Sequence, residues 1–140
     1  MPKGSILVDS SWLIALHDKD SDAYEEISEF SKHFHGSLVV PQVVLTEVVY
    51  LVKRETGISG TAQFLQQFND SHPYLQDITV PDLRRVKEII QQYATARLDF
   101  VDCCIMALSE RLNITQVGTL DKRDFSIFRP NHVSHLEILP

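Results

Sequence analysis

The chain has 140 residues, 44% of them apolar, which supports one core that removes roughly two thirds of the unfolded chain's surface from water and is too short for a second. A net charge of −6 excludes a protein that coats nucleic acid through many Lys and Arg contacts, although it leaves room for an enzyme that grips a phosphodiester through a cation. No apolar run approaches the ~20 residues of a membrane span, Met1-Pro2-Lys3 leads into the first apolar run without a secretory signal, and the two cysteines are adjacent, so a cytoplasmic protein with reduced thiols is expected.

Ile6-Leu7-Val8 is apolar without alternation, the pattern of a central parallel strand covered on both faces. Ser10 or Ser11 is then placed to cap a short helix through Leu16, and Asp22 with Glu25 resembles a capping box opening a second helix with Tyr24, Ile27, Phe30 and Phe34 on one side. Leu38-Val39-Val40 is the second strand, closed by Pro41. Residues 42–55 read as a helix that is apolar nearly all round and therefore central, with Gly57 as its stop; Ile58, Ala62, Leu65 and Phe68 mark the next helix.

Leu75 to Val80 is expected as a third strand. Pro81 opens a helix with Leu83, Val86, Ile90 and Tyr93 inward and Arg84, Arg85, Lys87 and Glu88 outward. A mostly apolar helix spans about 100–112, ended by a left-handed Asn113. A weak strand at 115–118, a loop or short helix at 121–128 and a terminal strand at 135–139 complete the chain. Repeated strand-helix alternation predicts an α/β fold: a three-layer α/β/α sandwich with a mainly parallel central sheet, in one domain spanning 1–140.

Four carboxylates stand in apolar surroundings: Asp9 after the first strand, Glu47 among the valines of the third helix, Asp102 ahead of Cys103-Cys104-Ile105-Met106, and Asp121 after Val117-Gly118-Thr119-Leu120. An uncharged polar group buried without a partner costs about 2 to 7 kcal/mol, and a lone carboxylate more. None of these runs holds a Lys or Arg, so the economical partner is a hard divalent cation, Mg2+ or Mn2+, which prefers oxygen ligands. Sites on open parallel sheets form outside the carboxyl ends of the strands, where Asp9 and Asp121 fall. Asp99 and Asp124 each lie three residues from a primary acid, within reach on a helical turn.

Each acid has a plainer explanation taken alone. Asp9, Asp99 and Asp102 can cap helices, Asp121 and Asp124 can make a polar turn, and Glu47 can pair with a buried Arg. Taken together, a shared cation is the simpler account.

The segments Val8-Asp9-Ser10-Ser11, Pro41 through Thr46-Glu47-Val48-Val49, Leu98-Asp99-Phe100-Val101-Asp102 running into Ile105-Met106-Ala107-Leu108, and Thr119-Leu120-Asp121-Lys122-Arg123-Asp124-Phe125 resemble, in order and spacing, the PIN-domain ribonucleases. They are most similar to the VapC-type toxins of toxin-antitoxin pairs. That resemblance spans nearly the whole chain and implies Asp9, Glu47, Asp102 and Asp121 as the catalytic acids, with Asp9, Asp102 and Asp121 holding Mg2+ or Mn2+. Asp99 and Asp124 would be accessory acids, and Ser10 and Thr119 the hydroxyls beside the first and last acids. Cys103-Cys104 departs from the small residues usual there.

The implied reaction is hydrolysis of an RNA phosphodiester to leave a 5'-phosphate and a 3'-hydroxyl, with Lys53, Arg54, Lys122 and Arg123 (and Arg97) guiding the strand. A homodimer and an antitoxin partner follow from the same likeness. His17, His33, His35, His72, His132 and His135 show no spacing tied to the acids and are read as surface residues. A catalytically idle scaffold that binds protein or RNA, and a housekeeping nuclease without an antitoxin, are the competing functions. Two other families also carry an acid after the first strand. Haloacid-dehalogenase-like phosphatases need a second Asp at position 11, which is Ser, and metal-dependent adhesion modules need a Ser at position 13, which is Leu.

Overall fold

A computed structural model describes residues 4–140, and the Met1-Pro2-Lys3 lead-in lies outside the described residues. Five strands form one sheet: β1 (Ile6–Val8), β2 (Leu38–Pro41), β3 (Tyr74–Gln76), β4 (Gln116–Gly118) and β5 (Glu137–Leu139), in the order β3-β2-β1-β4-β5. All four pairings are parallel, with Leu7 opposite both Val39 and Val117. Parallel neighbours need crossover connections. These are α1 (Ser10–His17), α2 (Tyr24–His33), α3 (Gln42–Asp70), α4 (Val80–Gln92), α5 (Phe100–Arg111) and α6 (Lys122–Ile127). The strand order reverses at β1, so right-handed crossovers send the early and late helices to opposite faces. Accordingly α1 packs on α2 and α3, while α5 packs on α4 and α6.

The sequence accounts for the centre of this arrangement. Ile6, Leu7, Val8, Val39 and Val117 are fully buried, as is the continuous stretch Cys103–Leu108 of α5, with Ala107 at 2% exposure. Trp12, also fully buried, lies against β4 at Gly118, where an added Cβ would come within 3.0–3.1 Å of the indole ring. Gly118→Ala is therefore expected to cost about 1 to 3 kcal/mol by overpacking, read as a lowered melting temperature. Among the described residues no helix is long and apolar enough to cross a membrane.

Four expectations are corrected. The helix from Gln42 is not central: only Val44 and Val48 of its first half are buried and Tyr50 is 66% exposed, because one face packs against α1 while its β-branched surroundings stay half-exposed. It does stop at Gly57, whose φ of 75° breaks the helical path, and a second run then buries Phe64 and Phe68 but leaves Ile58 80% exposed. In α4 the inward face is Asp82, Val86 and Ile89, while Leu83 and Ile90 are more than 40% exposed. That face turned because Arg111 of α5 takes Asp82, and the capping box of Thr79 with Asp82 starts the helix one residue before Pro81. Finally, α2 begins at Tyr24 with no side-chain cap, since Asp18 and Ser21 organise turns before it. Asn113 has the expected left-handed conformation, with φ of 53°.

Candidate metal centre and active site

Strands β1 and β4 are neighbours, so the residues after them meet at the carboxyl edge of the sheet, where the strand order reverses. The backbone N–H of Asp9 donates to the Gly118 carbonyl at 3.0 Å. The Asp9 side chain caps α1, accepting from the Trp12 N–H at 3.0 Å and from the Ser11 hydroxyl at 2.8 Å. Its other oxygen accepts a short bond from the fully buried Thr119 hydroxyl, which in turn accepts from the Asp121 N–H at 2.8 Å. Ser11 also accepts from the Leu120 N–H at 3.1 Å. One small network thus locks the loop after β4 to the start of α1 around a carboxylate that is 3% exposed. Burial raises the Asp9 pKa, and the bonds from Thr119, Trp12 and Ser11 only partly oppose it.

Four further acids come from two helix starts. Asp99 caps α5 through the Val101 N–H at 3.0 Å, placing Asp102 in the first turn at 9% exposure. Asp121 caps α6 through the Asp124 N–H at 3.4 Å. Carboxylate oxygens of Asp102, Asp121 and Asp124 all lie within 4.8 Å of one another. Burial, and then the charges of Asp9, Asp99, Asp121 and Asp124, push Asp102 up to about 8. Asp124 is raised by burial and by Asp121, against an ion pair from Arg123 at 2.5 Å.

These residues fit a hard divalent cation. The donors are all oxygens, and a Mg2+–oxygen distance of about 2.1 Å puts opposite ligands about 4.2 Å apart. A spread of up to 4.8 Å is within a small side-chain adjustment of that. Burial first, and then the charges of the neighbouring acids, hold Asp102 up, and a bound cation would relieve both.

The structure places the remaining expected residues as follows. Glu47 is half-buried in α3, makes no hydrogen bond or ion pair among the described residues, and stands outside the three converging carboxylates. Asp9 also stands outside that trio, although its charge acts on Asp102. The Ser10 hydroxyl is buried without a hydrogen-bond partner, and it is Ser11 that bonds Asp9, so the hydroxyl of the first loop lies one residue later than expected. The signal for it was present, since a Ser two residues after an Asp commonly closes such a turn.

Lys53, Arg54 and Lys122 are exposed, and Arg54 pairs with Glu55. Two histidines are not surface residues: His17 is half-buried against Phe64, which lowers its pKa, and His132 meets the Ile114 carbonyl at 2.8 Å. Burial raises the Cys103 thiol to about 12 and Cys104 to about 11, so both remain unreactive packing residues.

A family model described as PIN domain matches residues 6–129. The chain belongs to the PIN-domain family. As a PIN domain it is similar to Ribonuclease VapC26 of Mycobacterium tuberculosis, 24% identical over 135 residues, covering 96% of this chain and all of that protein. Its fold matches the crystal structure of VapC20 of the same organism, a toxin described as cleaving the sarcin-ricin loop, with a TM-score of 0.79 at 19% identity over 92% of this chain and 98% of that one. VapBC2 from Rickettsia felis, bound to a promoter DNA fragment, matches with a TM-score of 0.73 at 16% identity over 97% and 99% of the two chains.

Proposed function

We infer that this PIN domain is an endoribonuclease dependent on Mg2+ or Mn2+, and the toxin of a toxin-antitoxin pair. The observation that carries the reading is the approach of Asp102, Asp121 and Asp124 within 4.8 Å at the β1–β4 edge. Its likeness to a VapC ribonuclease runs the length of both proteins.

In this reading Asp102 and Asp121 hold the cation, joined by Asp124, and Asp9 supports them from behind through its charge and through Thr119. Glu47 on α3, whose side chain has no partner among the described residues, is the fifth acid of this reading. When bound, the cation supplies a Lewis acid for a phosphate oxygen and lowers the pKa of a water positioned for in-line attack. The chain itself orients that chemistry: α5 and α6 each start on a capping Asp, so the ligands project from rigid helix starts. Product ends of 5'-phosphate and 3'-hydroxyl are expected. Exposed Lys53, Arg54 and Lys122 would steer the strand from outside the acidic cleft. A homodimer, an antitoxin partner and a cytoplasmic location belong to the same reading.

The test uses the whole chain stripped of metal. RNA should survive in chelator and be cut on addition of Mn2+, with the Asp9→Ala protein inactive but still folded, and expression should arrest growth unless the neighbouring gene's product is supplied. Cleavage that persists in chelator, or in purified Asp9→Ala protein, would place the activity elsewhere; unimpaired growth with intact nuclease activity would remove the toxin role alone.

A further inference from the structure

The sequence marks Arg123 as a base for guiding RNA, yet in the structure its guanidinium is turned to the protein. Nη1 donates to Asp124 Oδ1 at 2.5 Å and Nη2 donates to the Ala96 carbonyl at 3.2 Å. Ala96 closes the 3-10 turn Ala94–Ala96, and Arg97 follows with a left-handed φ of 54° that bends the chain toward Asp99 and α5. One side chain therefore ties the first turn of α6, which carries Asp121 and Asp124, to the connection that delivers Asp99 and Asp102.

As a stabilising ion pair this arrangement has little value. The Arg123 side chain is 62% exposed, and ion pairs this exposed contribute little to stability. Its geometry matters more. The Asp124 side chain is only 10% exposed, one of its oxygens is taken by Arg123, and its carboxylate also faces Asp121. A carboxylate held by a fixed donor through one oxygen presents the other in a fixed direction, which is how outer partners orient metal ligands. A planar fork reaches two acceptors at set angles, which an ammonium does not.

We propose that Arg123 is a positioning residue of the cation site: it holds Asp124 by one oxygen so that the other faces the ion shared with Asp102 and Asp121, and it sets the separation of α6 from the start of α5. The proposal rests on the reading of this cluster as a divalent-cation centre. Removing a cation from beside the site also relieves repulsion of Mn2+, but an exposed, screened guanidinium exerts little of it. Loss of orientation outweighs that relief.

The test is Mn2+ binding to the metal-free full chain, followed by calorimetry with no RNA present. Arg123→Ala should weaken binding about 10- to 100-fold, the size of effect that loss of such an outer partner produces. Arg123→Lys should fall between that variant and the parent, and it supplies the comparison should the alanine variant not fold. Asp124→Asn should weaken binding similarly, and adding Arg123→Ala to it should cost nothing more, because the two act through one contact. In RNA cleavage at saturating Mn2+, kcat should fall while KM holds.

Unchanged or tighter Mn2+ binding in Arg123→Ala, a raised KM with a weaker salt dependence, or fully additive losses in the double variant would each overturn the assignment. If the parent binds Mn2+ and the Arg123 variants bind it equally, only the role of Arg123 falls. If the parent binds none, the cation centre falls with it.

Discussion

Asparagine at position 102 is expected to stop RNA hydrolysis and, in metal-free buffer, to make the protein harder to unfold at pH 8 than the parent. The first effect follows from removing a charged oxygen ligand at the centre of the trio, and a loss of about 10^3-fold or more in kcat is expected, the upper range for deleting one group that stabilises developing charge. The second follows from the raised pKa. The unfolded chain loses the Asp102 proton near the ordinary 3.8, whereas the folded chain keeps it to about 8. Between those values the unfolded state binds fewer protons, so native stability falls as pH rises, by up to about 1.4 kcal/mol per unit.

The full contribution of the neutral carboxyl is present below 3.8 and lost through pH 8. Asparagine cannot ionise, so the variant should lose this slope and gain ~2 kcal/mol at pH 8, after allowing for coupling among the neighbouring acids. Mn2+ should flatten the parent's slope and leave the variant's unchanged. Parallel pH–stability curves for the two proteins, by chemical denaturation, would sink this account.

Arg111→Ala should cost about 2 kcal/mol, between an exposed and a buried ion pair because Asp82 is buried while the Arg111 side chain is 37% exposed, and lower the melting temperature by about 6 °C. Arg111 of α5 makes a two-pronged contact with Asp82 of α4, at 2.8 and 3.0 Å, and Asp82 is 3% exposed. Burial alone would raise the Asp82 pKa, but hydrogen bonds from Arg111 and Thr79 outweigh it and hold the carboxyl below its ordinary value. Stability from this group is therefore present above pH 3.8 and lost as pH falls through the depressed native value. Without Arg111 the carboxylate keeps the cap bond from the Thr79 N–H, while the Asp82 N–H still donates to the Thr79 hydroxyl, and the acid limb of the stability curve should move to higher pH. A melting temperature within 2 °C of the parent's at pH 7 would show that the cap alone suffices.

The Asp82–Arg111 ion pair marks a limit of what the sequence reveals. Asp9, Asp102 and Asp121 could be singled out because each interrupts or ends an apolar run, and the alternation of strands and helices pointed to a mainly parallel sheet, whose pairings among the described residues are all parallel. Asp82 sits in a polar stretch beside Arg84 and Arg85, and no local pattern says that it turns inward to an Arg 29 residues later. The same blindness to tertiary partners misjudged α3, where a run of valines implies burial only if something covers both flanks. Arg123 and Ser11 show a finer form of it. Residue type set their chemistry, but the choice of acceptor depended on where the Ala94–Ala96 turn and the loop after β4 came to rest. Six acids could be singled out from the sequence; which three would close to within 4.8 Å could not.

The knot of bonds from Thr119 to Asp9 spans 110 positions of the chain. A polypeptide growing from its amino end therefore makes Asp9 early but cannot close the cleft around it until Thr119 and α6, with Asp124, have left the ribosome. A hydrolase wired in this way threatens no RNA, the translating message included, until α6 has emerged.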